Sequence, residues 1–242
     1  MVVAKIGVDQ PSSLATEVAV ASELWALDAP VVPPAPEVPG VVHALGEFRI
    51  TFWRYCPQPL EIEISPEQMA AALGALHAGL AQVSSPVKRR LPSYTAELRS
   101  VSALLRGAER MPALPEDDRR MLVRVFEHLW GRLQVLSSSG ADAVIHGSPH
   151  SFNVVLVDRM PRFIDFETTC IGPVEWDLAH MSADVANNYA AVVDPQLLEV
   201  CRDLGRVKTA AWCWANEHRG DMRYHADAHL AYLKKSFAEH AE

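Results

Sequence analysis

His146-Gly147-Ser148-Pro149-His150-Ser151-Phe152-Asn153, with Phe163-Ile164-Asp165-Phe166-Glu167 after it, is the stretch on which the reading of the whole chain turns. Residues 143–146, 154–157 and 162–166 are three short β-like runs, and turns at Gly147-Ser148-Pro149 and at residues 158–161 separate them. Beyond them Gly172-Pro173-Val174-Glu175-Trp176-Asp177-Leu178-Ala179 opens a helical pattern that continues to the end of the chain. Upstream, helices are predicted over residues 94–109 and 115–136 between proline-containing breaks. Ser65-Pro66-Glu67-Gln68 has the form of a capping box with proline at the first helical position, and Met69, Leu73, Leu76 and Leu80 follow on one face. This half is a helical body interrupted by a small β-hairpin.

The amino-terminal half is patterned differently. Residues 2–8 (VVAKIGV) read as a strand carrying Lys5, and Leu14, Val18, Ala21 and Trp25 recur at helical spacing after Pro11-Ser12-Ser13. Five prolines between Pro30 and Pro39 forbid regular structure, and residues 41–45 and 48–53 flank Gly46-Glu47 like a hairpin. Tyr55-Cys56-Pro57-Gln58-Pro59 has the make-up of a hinge, because proline removes backbone donors and stiffens a crossing segment. The expected organisation is a small lobe over residues 1–55 and a mainly helical lobe over residues 56–242.

Taken in order, these segments resemble the aminoglycoside phosphotransferase and choline kinase family, whose catalytic loop follows the pattern H-G-D-x-H-x-x-N. Leu73-Gly74-Ala75-Leu76-His77 is similar to the family's L-x-x-L-H helix, and Phe52-Trp53-Arg54 to the run before its hinge. The likeness extends over nearly the whole chain. It implies a two-lobed, protein-kinase-like α/β (α+β) fold and transfer of a phosphoryl group from ATP to a small-molecule hydroxyl with Mg²⁺. Such chemistry needs charge neutralisation and in-line positioning more than covalent help.

By this resemblance Asn153 and Asp165 hold the metal, as neutral and charged oxygen donors of the hard kind that Mg²⁺ prefers. Taken alone, the two also read as a turn asparagine and a strand-end aspartate in local hydrogen bonds. Lys5 would bind the nucleotide phosphates with Glu17 of the next helix as its partner; a surface lysine and a solvated glutamate are the ordinary fate of both types. His146, Ser148 and His150 fall in the catalytic loop. Asp177 is expected to accept backbone N–H bonds and brace that loop, and His77 to tether backbone.

Two departures accompany the likeness. Ser148 stands where the family pattern has aspartate, and a neutral hydroxyl is no comparable base; losing such a group costs on the order of 10² to 10⁴ in rate. A catalytically inactive, pseudokinase-like module that binds nucleotide, a ligand or a protein is therefore the second reading. The chain also starts at the lysine strand, so a shortened small lobe without a phosphate-covering loop is expected, unless the natural start lies upstream. Weak, metal-dependent nucleotide binding follows. An uncovered strand edge invites a homodimer.

The 22 Lys and Arg against 30 Asp and Glu give a formal charge of -8, the wrong sign for gripping nucleic acid. No run of apolar residues reaches the roughly 18 to 20 needed to span a membrane. Cys56, Cys170, Cys201 and Cys213 show no CxxC pair and read as reduced thiols, which points to the cytoplasm.

Overall fold

The structure, a computed structural model, describes residues 1–8, 11–58, 63–137 and 142–238. It is the mixed α/β fold expected, packed as two compact units: Met1–Pro92 with Asp142–Val192, and Ser93–Ala141 with Val193–Glu242.

In the first unit β1 (Val2–Val8), α1 (Pro11–Ala26), β2 (His43–Leu45) and β3 (Phe48–Arg54) come first. The strands form an antiparallel sheet in the order β1-β3-β2, with Lys5 opposite Thr51. Helix α1 buries Leu14, Val18, Ala21 and Leu24, and Glu17 with them. Trp25, placed on that stripe by its spacing, is 44% exposed. The buried face also takes in Glu17, Val20 and Leu24, which at about 100° per residue centres it to the Leu24 side of the stripe and leaves Trp25 at its margin.

The proline-rich segment is more ordered than its composition suggests. Pro30 O accepts from Phe163 N (2.8 Å), and Val32 N donates to Phe163 O (3.1 Å). Three residues further, Ala35 N donates to Phe52 O (2.9 Å), and Pro33 O accepts from Arg54 N (3.2 Å). The segment thus ties the three-stranded sheet to the hairpin over residues 154–163 with the donors its prolines leave. At the predicted hinge the side-chain amide of Gln58 pairs with both backbone groups of Leu156, donating at 3.2 Å and accepting at 2.8 Å. Pro59, the last residue of that hinge, lies outside the described residues.

Helix α2 (Pro66–Leu80) begins with the predicted capping box, both halves of which are present between Ser65 and Gln68. The short α3 (Ser85–Lys88) follows. After the second unit's first helices the chain returns as β4 (Ala143–Ile145), the hairpin β5 (Val154–Val157) and β6 (Met160–Phe163), β7 (Cys170–Gly172), α6 (Val174–Leu178) and α7 (Ala183–Asn188). The expected strand over residues 162–166 is displaced: β6 stops at Phe163, and Asp165 turns away in the left-handed conformation at φ 67°. β7, which pairs antiparallel with β4, has too few residues and too much glycine to announce itself.

The second unit is helical: α4 (Tyr94–Arg106), α5 (Glu116–Ser137), α8 (Pro195–Ala215) and α9 (Met222–Ser236). Gly107 ends α4 short of the predicted residue 109, and a 3₁₀ turn at Ala108–Arg110 follows. Leu122, Val125 and Leu129 of α5 are buried, as are Val200, Leu204 and Val207 of α8. Each such side chain contributes roughly 1.5–3 kcal/mol. The long helical pattern after Trp176 is cut by two caps: Ser182 Oγ accepts from Val185 N, and Asp194 accepts from Gln196 N and Leu197 N ahead of α8.

Candidate active site

The loop between β4 and β5 is held by one buried carboxylate. Asp177 of α6 accepts from His146 N (2.8 Å), Gly147 N (2.7 Å) and His77 Nε2 (2.8 Å), and is fully buried. Burial alone would raise its pKa, but the hydrogen bond from His77 and the other donors keep it below the ordinary value. This is the bracing role expected of Asp177. His77 acts through side chains rather than through backbone as expected: its other ring nitrogen meets the Tyr189 hydroxyl at 2.6 Å. Burial and the nearby Asp177 charge push that phenol up to about 12.

Gly147 could be no other residue in this loop. It sits at φ 89°, and a Cβ there would lie 2.1 Å from Thr168 O. Thr168 Oγ1 donates to His146 O and Trp176 Nε1 to Gly147 O, both at 3.1 Å, closing the loop from two sides. His146 is fully buried; Nε2 donates to Ile164 O (3.0 Å) and Nδ1 accepts from Ser148 N (3.3 Å). Burial holds its pKa below the ordinary value. A neutral imidazole committed to backbone on both nitrogens positions the loop and has no free edge for a substrate. Ser148 is 9% exposed, and its carbonyl accepts from Asn153 Nδ2 at 2.9 Å. His150 Nε2 lies 3.4 Å from the same Asn153 nitrogen.

The second cluster gathers around Lys5. Its ammonium lies 3.1 Å from both oxygens of Glu17, 2.6 Å from Asp165 Oδ1 and 2.9 Å from Glu167 Oε2. Burial would lower the Lys5 pKa, but the Asp165 hydrogen bond, the charge of Glu17 and the Glu167 hydrogen bond outweigh it and hold the ammonium above its ordinary value. Glu17 is 1% exposed, and burial pushes its carboxyl up to about 7 against the pull of Lys5. The structure therefore brings Lys5, Glu17 and Asp165 together, and adds Glu167, for which no role was expected from sequence. Its signal was the spacing of two acids, Asp165 and Glu167, on either side of the buried Phe166.

Glu167 pairs with the Lys5 ammonium, while Lys5, Glu17 and Asp165 form the polar end of a cavity of about 410 Å³, which Asn153 also lines. Its other walls include Val3, Val32, Trp53, Val155 and Ile164. One end apolar and the other charged suits a flat base joined to phosphates. A larger groove, about 1000 Å³, runs along Pro33–Gly40 and Trp25 but gathers no such convergent charges. The donor set fits a hard divalent cation: oxygen atoms of Glu17, Asp165 and Glu167 come within 4.8 Å of one another. Octahedral Mg²⁺ bonds of about 2.1 Å place neighbouring ligands about 3.0 Å and opposite ones about 4.2 Å apart, so these oxygens would draw inward to share an ion. Asn153, whose amide nitrogen is committed to Ser148, has its carbonyl oxygen left to offer.

Residues 3–215 match the sequence model of a family described as the phosphotransferase enzyme family. No curated protein matches the chain. Several solved structures share the fold. An amicoumacin kinase in complex with AMP-PNP, Ca²⁺ and Ami superposes with a TM-score of 0.69 at 13% identity, over 98% of this chain and 82% of that one. A choline/ethanolamine kinase family protein from Mesorhizobium loti gives 0.63 at 17% identity, over 94% and 81%. The AMP-bound spectinomycin phosphotransferase gives 0.62 at 14% identity, over 99% and 86%.

Proposed function

The chain belongs to the phosphotransferase enzyme family, and we propose that it binds ATP with Mg²⁺ and transfers the γ-phosphoryl group, slowly, to a hydroxyl of a small molecule. The observation that carries this reading is the convergence of Lys5, Glu17 and Asp165 at the charged end of one cavity, with Glu167 paired to the same ammonium. A bound divalent ion would neutralise phosphate charge there, with Asp165, Asn153 and Glu167 to hold it. Lys5, oriented by Glu17, takes the α and β phosphates, and Val3, Val32 and Ile164 enclose the base. Asp177 and His146 keep the loop fixed, so that Ser148 faces the acceptor.

In transfer the bond from the bridging oxygen to the γ-phosphorus breaks as the acceptor oxygen bonds to phosphorus. The hydroxyl proton leaves late, to solvent or to the transferred group, because Ser148 is no base. That same residue favours the second reading, a relative that binds nucleotide and no longer transfers. We place the protein in the cytoplasm, with the lobe boundary near Tyr55; among the described residues no helix is long and apolar enough to cross a membrane. β1 has β3 as its one strand partner among the described residues, and we assign its other edge to a second copy of the chain.

Single-turnover transfer in the parent and in Ser148→Asp tests the activity. The substitution should raise the rate on the order of 10²-fold, the worth of a positioned base, and adding Asp165→Ala should abolish the gain. No gain in Ser148→Asp, with nucleotide still bound, would establish the non-catalytic reading.

A further inference from the structure

Lys5 makes more contacts than holding phosphates requires. A lysine paired only with Glu17 would present its ammonium to the cavity; here it also contacts Asp165 at 2.6 Å and Glu167 at 2.9 Å. Those two carboxylates are among the donors that the preceding reading gives to the metal. The ammonium therefore lies among the oxygen atoms that come within 4.8 Å of one another, in the space a divalent ion would occupy. An ammonium and a divalent cation cannot share it, since like charges at such a distance repel strongly in a half-buried setting. Nor can Lys5 simply drift away: its stem rises from the middle of β1, fixed opposite the fully buried Thr51.

We infer that Lys5 is a tethered counter-ion of the metal site, which keeps bare divalent cations out until a nucleotide arrives; this rests on the proposed function. The charge balance supports the exchange. Three carboxylates around one ammonium leave the cluster short of positive charge. A divalent ion supplies it only if Lys5 finds another anion, and the incoming phosphates are that anion. Metal and nucleotide then enter together, Lys5 turning from Asp165 and Glu167 to the phosphates while Glu17 keeps hold of it.

The test is Mn²⁺ titration followed by the electron paramagnetic resonance signal of the free ion, at one pH, for the parent, Lys5→Met, Lys5→Arg and Lys5→Met with Asp165→Ala. Without nucleotide, Lys5→Met should bind Mn²⁺ more tightly than the parent by roughly tenfold or more, the order expected when a neighbouring positive charge is removed. Lys5→Arg, which keeps the charge, should show no gain, and Asp165→Ala should cancel the gain of Lys5→Met. In the parent, AMP-PNP should raise Mn²⁺ affinity. Thermal melting supplies a second readout: Lys5→Met leaves the carboxylates uncompensated and should melt lower than the parent, and Mn²⁺ should restore it. If Lys5→Met is too unstable to titrate, Lys5→Gln carries the same expectation. Equal or weaker Mn²⁺ binding in the neutral variants, with AMP-PNP and Mn²⁺ still bound by the parent, would overturn the inference and leave the proposed function standing. Failure of the parent to bind Mn²⁺ with AMP-PNP would remove both.

Discussion

Asp177 and Glu17 are both carboxylates sealed from solvent in the same compact unit, and their surroundings treat them in opposite ways. Asp177 faces three donors, His146 N, Gly147 N and His77 Nε2, and its pKa is held down. Glu17 shares one ammonium with Asp165 and Glu167, and its pKa is pushed up to about 7. In the first cluster donors match the charge; in the second, carboxylates outnumber the cation. A matched cluster fixes a loop, whereas an unmatched one has capacity for a guest cation.

The largest effect is expected of Asp177→Ala. It would strand buried backbone donors of His146 and Gly147, and removing one side of a buried charged network costs about 3–5 kcal/mol. Urea denaturation at neutral pH should show a loss of that size. A loss within the scatter of surface substitutions would mean that Asp177 is no brace.

A smaller effect, with a distinctive pH signature, is expected at Glu17. Its folded pKa, about 7, lies above its ordinary 4.5, so the folded chain holds that proton longer than the unfolded one. The group's contribution to stability is complete below about 4.5 and declines as pH rises towards 7, by about 3 kcal/mol at 1.36 kcal/mol per pKa unit. Glu17→Gln should flatten this fall, so that the variant gains on the parent between those limits. Stability curves that run parallel through this range would contradict the assignment. Asp177 has the opposite sign: its folded pKa is depressed, so its contribution is present above the ordinary 3.8 and is lost as pH falls through the lower folded value.

Short-range rules made part of each cluster legible. The Ser65 capping box, the β5–β6 hairpin that presents Asn153 and the placing of Asp177 at a helix start all follow from rules acting over a few residues. Glu167 follows from none of them. Its bond to Lys5 joins the turn between β6 and β7 to the first strand of the chain, and depends on Asp165 leaving β6 in the left-handed conformation. The proline segment was opaque for a related reason. Proline content says which donors are missing, while the partners of Val32 and Ala35 on Phe163 and Phe52 are set by tertiary packing. His77 was expected to tether backbone, and its actual partners Asp177 and Tyr189 are too distant in sequence to be read from spacing.

Joint uptake of metal and nucleotide by the unmatched cluster is read most directly by calorimetric titration of AMP-PNP into the parent and Asp165→Ala, with Mg²⁺ or with EDTA. Binding is expected by the parent in Mg²⁺ alone, and none by Asp165→Ala under either condition. Equal binding by both proteins, or binding by the parent that survives metal removal, would contradict it.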